Sequence, residues 1–156
     1  MDSITVTQGN FIITTDKTRL NIACIHDFLA NQSYWSKNMP IETLKMAIDN
    51  SLNFGLFEND KQIGYARVIS DFATIAYLGD VFIDPLYRGK GLSKWLMEQV
   101  MNHPKLQGLR RWILLTADAH ELYKKFGWKE PAKPQNYMEL FNPLVYQQQE
   151  IATKLP

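Results

Sequence analysis

Apolar residues recur along this chain with two different periods. From Thr18 to Ala30, Leu20, Ile22, Ala23, Ile25, Phe28 and Leu29 fall on one side of a helix. The same spacing returns over Ile41 to Ser51, through Leu44, Ile48 and the adjoining Leu52. It returns again from Leu92 to about Asn102, where Leu92, Trp95, Leu96 and Val100 make a stripe and Pro104 is the stop. Elsewhere the apolar residues come in short bounded runs that predict strands. These are "FIITTD" (Phe11 to Asp16), "NFGLFE" and "QIGYARVIS" joined by a hairpin turn at "NDK", Thr74 to Ile83, "RRWILLT", and a late "NYMELF". Pro85 ends the Thr74 strand, because proline cannot donate to a sheet ladder. Asp118 is placed to N-cap a short helix, "AHELYKKF", that Gly127 closes.

The predicted order is β, α, α, β, β, β, α, β, α, β. Three strands running antiparallel into a βαβ unit imply a mixed sheet with helices on its faces, an α/β (α+β) fold. No repeat or linker divides the 156 residues, so one domain spanning 1–156 is expected, with a polar C-terminal tail from 143 to 156 that has helical character.

Composition narrows the function by exclusion. Apolar residues make up 46% and charged residues 21%, and the formal net charge is +1. That charge gives no overall pull toward nucleic acid or an anionic membrane, so neither is an expected partner and any cationic site must be local. Cys24 is the single cysteine, which excludes an intrachain disulfide and reads as an inert buried residue. The N-terminal stretch lacks the basic and apolar segments of a signal peptide, and no apolar run reaches membrane-span length; the expected location is the cytoplasm. His26 and His103 have no metal-ligand spacing to other histidines or to Cys24, so no metal is expected.

Local charge is concentrated in "DPLYRGKGLSKWLMEQV", Asp84 to Val100. Strand, glycine loop and helix start follow each other there. The first N–H groups of a helix lack internal partners, and the helix dipole adds partial positive charge. Gly89 and Gly91 permit close approach of a ligand to backbone; Arg88 and Lys90 supply full charges, and Ser93 a hydroxyl. The spacing fits neither a Walker loop nor a dinucleotide fingerprint. An anion cradle and a plain capped turn are both consistent with it.

With "AHELYKKFGW" (Ala119 to Trp128), the stretch "VFIDPLYRGKGLS" (Val81 to Ser93) resembles the GCN5-related N-acetyltransferase family. The family's cofactor loop, Gln/Arg-x-x-Gly-x-Gly/Ala, is filled by Leu86 to Gly91, with Leu86 departing from the usual first residue. Its second motif, Ala-x-x-x-Tyr-x-x-x-Gly-Phe/Trp, is complete through Ala119, Tyr123, Gly127 and Trp128. The resemblance implies a mostly antiparallel central sheet of about six to seven strands, splayed near its fourth main strand. It also implies acetyl-CoA as co-substrate. Backbone of Val81, Phe82 and Ile83 would pair with the pantetheine arm. Backbone N–H groups of Arg88, Gly89, Lys90, Gly91, Leu92 and Ser93 would hold the pyrophosphate. Gly79 is compatible with a bulge beside that splay. Thr116 stands where the family often has an Asn that contacts the cofactor arm.

The implied reaction is transfer of acetyl to a primary amine, with a small molecule as the expected acceptor. Tyr123 resembles the family's general acid; its alternative is a tyrosine packed between helix and sheet. Asp80, a lone carboxylate in the apolar "YLGDVFI", is the candidate base, or else a hydrogen-bonded structural group. His120 reads as an exposed first-turn residue. Tyr34 and Trp35 fall where the family's acceptor lid would lie, and Tyr137 and Met138 could face the same cavity. Trp95, Met97 and Met101 belong to a helix flank. Two other readings use the same cradle: a non-catalytic CoA-binding or regulatory module, and a nucleotide-binding α/β protein. A homodimer, supported through the tail, is compatible with either enzyme or module.

Overall fold

The computed structural model describes residues 2–147. Six strands form one sheet in sequence order: β1 Thr5–Gln8, β2 Phe11–Thr14, β3 Leu52–Glu58, β4 Lys61–Ser70, β5 Ile75–Ile83 and β6 Arg111–Leu114. All neighbours are antiparallel except β5 and β6, which are parallel. That one parallel step requires a crossover, and α3 (Leu92–Met101) supplies it. The remaining helices are α1 Ile22–Asp27, α2 Ile41–Asp49 and α4 His120–Lys124.

Two apolar cores cover the two faces of the sheet. On one face α3 buries Leu92, Leu96, Met97 and Val100 against β3 residues Leu52, Phe54 and Leu56 and β5 residues Ala76 and Leu78. Each such side chain contributes roughly 1.5–3 kcal/mol, so this helix is held by packing far more than by propensity. On the other face α1 and α2 bury Ile25, Leu44 and Ile48 against Tyr65 and Phe82.

The strand β5 belongs to both cores because of one extra residue. Its pairing with β4 runs Arg67 to Gly79 and then Tyr65 to Phe82, so three steps on β5 oppose two on β4. Asp80 lies in this bulge with φ 55°, the left-handed region that a side-chain-bearing residue seldom occupies. Before the bulge the even residues Ala76 and Leu78 face the α3 core; after it Phe82 faces the α1/α2 core, and Ile83 the α3 core. The bulge expected at Gly79 is thus present, with the strained residue one position on.

Several boundaries move. The predicted helix Thr18 to Ala30 is three pieces: a 3-10 turn at Lys17–Arg19, α1, and a π-helical turn at Phe28–Gln32. Asn21 starts α1 by accepting from the Cys24 amide at 3.0 Å. A strand not predicted, β1, pairs with β2 across a Gly9–Asn10 turn. The predicted late strand "NYMELF" is not in the sheet: residues 137–141 run outside any ladder, and Met138 and Leu140 are fully exposed. Asp118 is not the cap of α4; the Thr116 hydroxyl oxygen accepts from the amides of Asp118 (3.4 Å) and Ala119 (3.0 Å). Most of the expected tail helix, from residue 148 on, lies outside the described residues.

Candidate active site

The Asp84 to Val100 stretch folds into a sharp corner. Asp84 caps a 3-10 turn at Pro85–Tyr87 by accepting from the Leu86 amide at 2.9 Å. The chain then passes through Gly89 (φ 79°) and Gly91 (φ 75°) into α3. Both positive φ values favour glycine, and a Cβ at either would project into open space, so neither glycine is there to relieve a protein contact. Among the described residues none accepts from the amide N–H groups of Gly89 through Lys94. These six donors, the helix start and the open ground beside them fit an anionic diphosphate. Lys90 lies 5.1 Å above the Tyr87 ring, and the Tyr87 hydroxyl donates to Glu58 at 2.7 Å, which steadies the corner. Arg88 Nε donates to the Ile83 carbonyl at 3.3 Å, and Leu86 points to solvent.

Beyond the corner the sheet opens. The β5–β6 ladder runs only from Ile75–Arg111 to Leu78–Leu114. From Gly79 to Ile83, β5 therefore has β4 on one side and, among the described residues, no strand on the other. A cavity of about 330 Å³ occupies the opening, lined by Val81, Phe82 and Ile83, by Arg88, Gly89, Gly91, Leu92 and Ser93, and by Ala119 and Tyr123 of the α4 region. Free main-chain groups on β5 suit an extended polar arm laid along the strand.

Tyr123 closes this cavity. The residue is 8% exposed, and burial, with Tyr34 and Asp118 nearby, pushes its pKa up to about 12. Its ring packs in the core against Trp128, while its hydroxyl makes no hydrogen bond to the described residues and keeps some accessible surface at the cavity wall. A neutral, uncommitted phenol on a cavity wall is able to donate a proton or a hydrogen bond.

Asp80 is 7% exposed, and each of its carboxylate oxygens accepts one hydrogen bond. Arg67 Nε donates to Oδ2 at 2.7 Å, and Trp35 Nε1 donates to Oδ1 at 3.0 Å. Arg67 also donates to the Ser51 hydroxyl at 3.2 Å. Tyr65, whose hydroxyl bonds Asn53 Oδ1, continues the polar layer under the α1/α2 core. Burial drives the Tyr65 pKa far above its usual value. Arg67 was not singled out by sequence, although a lone cation in the apolar "QIGYARVIS" is the same signal that marks Asp80.

Tyr34 and Trp35 sit on the loop after the π-helical turn and come back over the cavity. The Tyr34 hydroxyl accepts from the Ala117 amide at 2.9 Å, while Trp35 stands over Phe28, which itself stacks on Phe82 at 4.0 Å. The loop thus bridges β5 and the start of α4. Tyr146 packs against the same α1/α2 core, and burial and the nearby Asp80 charge raise its pKa. Tyr137 and Met138 instead lie at the β6 edge with Arg111 and Ile113, away from the cavity. His120 is exposed at the start of α4 and lines a second cavity against β6. His26 contacts the Met39 carbonyl at 2.7 Å and His103 is buried, its pKa lowered by burial. Among the described residues no cluster could hold a metal ion, and no helix is long and apolar enough to cross a membrane. Cys24 is half-buried, and its pKa is raised by burial.

Comparison with known proteins agrees with this geometry. Residues 17–128 match the acetyltransferase (GNAT) family. A crystal structure of a GNAT-family protein from Xanthomonas campestris pv. campestris is 49% identical and superposes with a TM-score of 0.85, covering 87% of this chain and 96% of that one. A Gibberella zeae protein that carries the name acetyltransferase is 32% identical over 147 residues, 80% of this chain and 82% of its own. At 15% identity and a TM-score of 0.54, a Clostridium acetobutylicum protein crystallised with acetyl-CoA shares the fold over 92% of this chain and 96% of its own. The family uses acetyl-CoA as acetyl donor. An amide-lined corner, an opened sheet and an uncommitted phenol, together with these relatives, show that the chain belongs to the acetyltransferase (GNAT) family and is an acetyl-transferring enzyme.

Proposed function

We propose that this enzyme acetylates the primary amine of a small molecule, with Tyr123 as acid and Asp80 as base. The observation that carries the reading is the continuous cavity from the Gly89–Gly91 corner, past the open side of β5, to Tyr123. Bound acetyl-CoA supplies an activated thioester. The amides of Gly89 to Ser93, with Arg88 and Lys90, hold its diphosphate, and Val81 to Ile83 offer main-chain partners to its pantetheine arm. The cavity, about 330 Å³, reaches beneath Tyr34 and Trp35, where a compact acceptor would meet the thioester.

The acceptor must shed a proton to attack. Asp80, fixed by Arg67 and Trp35, receives it through water, using the lone pairs that those two donors leave unused. The amine then forms the C–N bond and the C–S bond breaks. Tyr123 donates a hydrogen bond to the departing sulfur. Its pKa of about 12 lies roughly 3.5 units above that of a simple thiol, so complete transfer to the thiolate is uphill by about 5 kcal/mol. Hydrogen bonding to the sulfur in the transition state is therefore its main contribution. Cys24, a free thiol whose pKa burial raises, suits a reducing compartment such as the cytoplasm. The test is thiol release from acetyl-CoA across a panel of small amines, with a lysine-bearing peptide as competitor. Turnover on the peptide alone rejects the small-molecule acceptor.

A further inference from the structure

The acetyl-CoA cavity carries one negative charge that the fold does not use. Of the side chains that line it, Arg88 and Asp118 alone bear a formal charge. Arg88 belongs to the glycine corner, where its Nε donates to the Ile83 carbonyl. Asp118 stands beside Tyr123, on the turn that leads from β6 into α4. Helix capping is the ordinary task of an aspartate at such a place, but the Thr116 hydroxyl has taken it. The Asp118 carboxylate accepts no hydrogen bond and enters no ion pair among the described residues. Its turn is pinned from both sides: the Ala117 amide donates to the Tyr34 hydroxyl at 2.9 Å, and the Ala119 amide to the Thr116 hydroxyl at 3.0 Å. Burial above all, then the nearby Tyr34 and Asp118, push the Tyr123 pKa up to about 12, so carboxylate and phenol lie within electrostatic reach of each other.

An unpaired carboxylate at this spot opposes acetyl transfer. Breaking the C–S bond builds negative charge on the sulfur, and a fixed anion nearby raises the energy of that state. The penalty disappears if the bound acceptor brings a positive charge of its own. That charge is not on the attacking nitrogen, which is neutral when it forms the C–N bond. It belongs to a second group, one that stays charged throughout the reaction.

We infer that Asp118 selects the acceptor: a primary amine that carries a second, lasting positive charge, which this carboxylate holds while the amine attacks. The inference rests on the small-molecule reading above and narrows it. An ammonium, a quaternary ammonium and a guanidinium group all meet the requirement, because what Asp118 offers is charge. Selection then works by difference. A neutral amine of the same shape fits the cavity but leaves the carboxylate unpaired beside the departing sulfur, and an acidic amine is repelled.

The experiment uses matched probes: aminoethyl-trimethylammonium, and the uncharged amine in which carbon replaces its quaternary nitrogen. The same pair lengthened by one methylene covers the reach of the site. Thiol release gives kcat/KM for each probe on the full-length parent and on Asp118→Asn, an exposed position where the substitution should leave the melting curve in place. Comparing the two proteins cancels the difference between the amines' own pKa values. Asp118→Asn should lower kcat/KM for the charged probe about fivefold and raise it for the neutral one. Structural damage, or loss of a general base, lowers both. Added salt should shrink the charge preference of the parent and not that of the variant. The equivalent methyl protons of each probe also report binding by NMR with CoA present, where no transfer is needed. Parallel changes for both probes on Asp118→Asn, or equal affinity of the parent for charged and neutral probes, overturn the inference. Absence of turnover on every small amine, with charge-selective binding retained, rejects the small-molecule acceptor and not the role of Asp118.

Discussion

Replacing Tyr123 with phenylalanine separates chemistry from architecture with unusual sharpness. The ring is core and stays. The hydroxyl has no protein partner among the described residues, so its removal orphans nothing and should shift unfolding free energy by less than about 1 kcal/mol. For a chain of this size that is a change in Tm within about 2–4 °C. Catalysis should respond far more. A preorganised donor lost from a shielded site costs about 2.7–4 kcal/mol of transition-state stabilisation, a fall in kcat on the order of 100- to 1000-fold. The cofactor corner lies at the other end of the cavity, so thermal stabilisation by acetyl-CoA should be unchanged. The assay is thiol release at saturating acetyl-CoA, run beside melting curves with and without cofactor. A kcat within about threefold of the parent would refute the donor role. A large loss of Tm would show that the hydroxyl is structural after all.

The alkaline side of the pH profile gives a second check. Tyr123 donates only while protonated, a condition met below its pKa of about 12. Turnover should therefore rise from about pH 7 to pH 10 as acceptor amine loses its proton, and a fall in that interval would exclude Tyr123 as the donor. Gly89→Asp places a carboxylate among the free amides, so the melting-temperature gain with acetyl-CoA should vanish while the unliganded Tm drops only slightly; a retained gain would move the diphosphate elsewhere. Arg67→Met strands the Asp80 carboxylate, whose side chain is 5% exposed, and should cost about 3–5 kcal/mol in urea unfolding, whereas a cost under about 1 kcal/mol would mean that water reaches Asp80 freely. Trp35→Phe keeps a tilted ring contact with Phe28 but removes the bond to Asp80, so KM for the amine should rise several-fold with KM for acetyl-CoA steady, a split that steady-state kinetics reads directly.

What sequence conveyed was whatever depends on neighbours a few positions away. The glycine corner, the hairpin at Asn59–Asp60 and the stripe of α3 are local, and each stands where its residues predict it. What it withheld depends on distant partners. Trp35 and Asp80 are 45 positions apart, and Tyr34 and Ala117 are 83 apart, so no spacing rule announces either bond. "TVTQ" has one apolar residue and becomes a strand only because β2 is there to receive it. "NYMELF" shows the reverse: good strand composition with no ladder within its own described chain. The Thr116 cap displaced the Asp118 cap because a hydroxyl three residues before Ala119 reaches two amides at once.

The extra residue in β5 has a consequence for how such an enzyme can diverge. Because it turns the strand over, the carboxylate at position 80 is locked to the spot where the sheet parts; sliding it by substitution would invert every side chain that follows. Only an insertion or deletion could relocate it, and that would empty two hydrophobic layers together. If the proposed amine acceptor is right, longer or shorter amines would be accommodated by changes in the aromatic loop overhead, since the strand below it has little freedom to move.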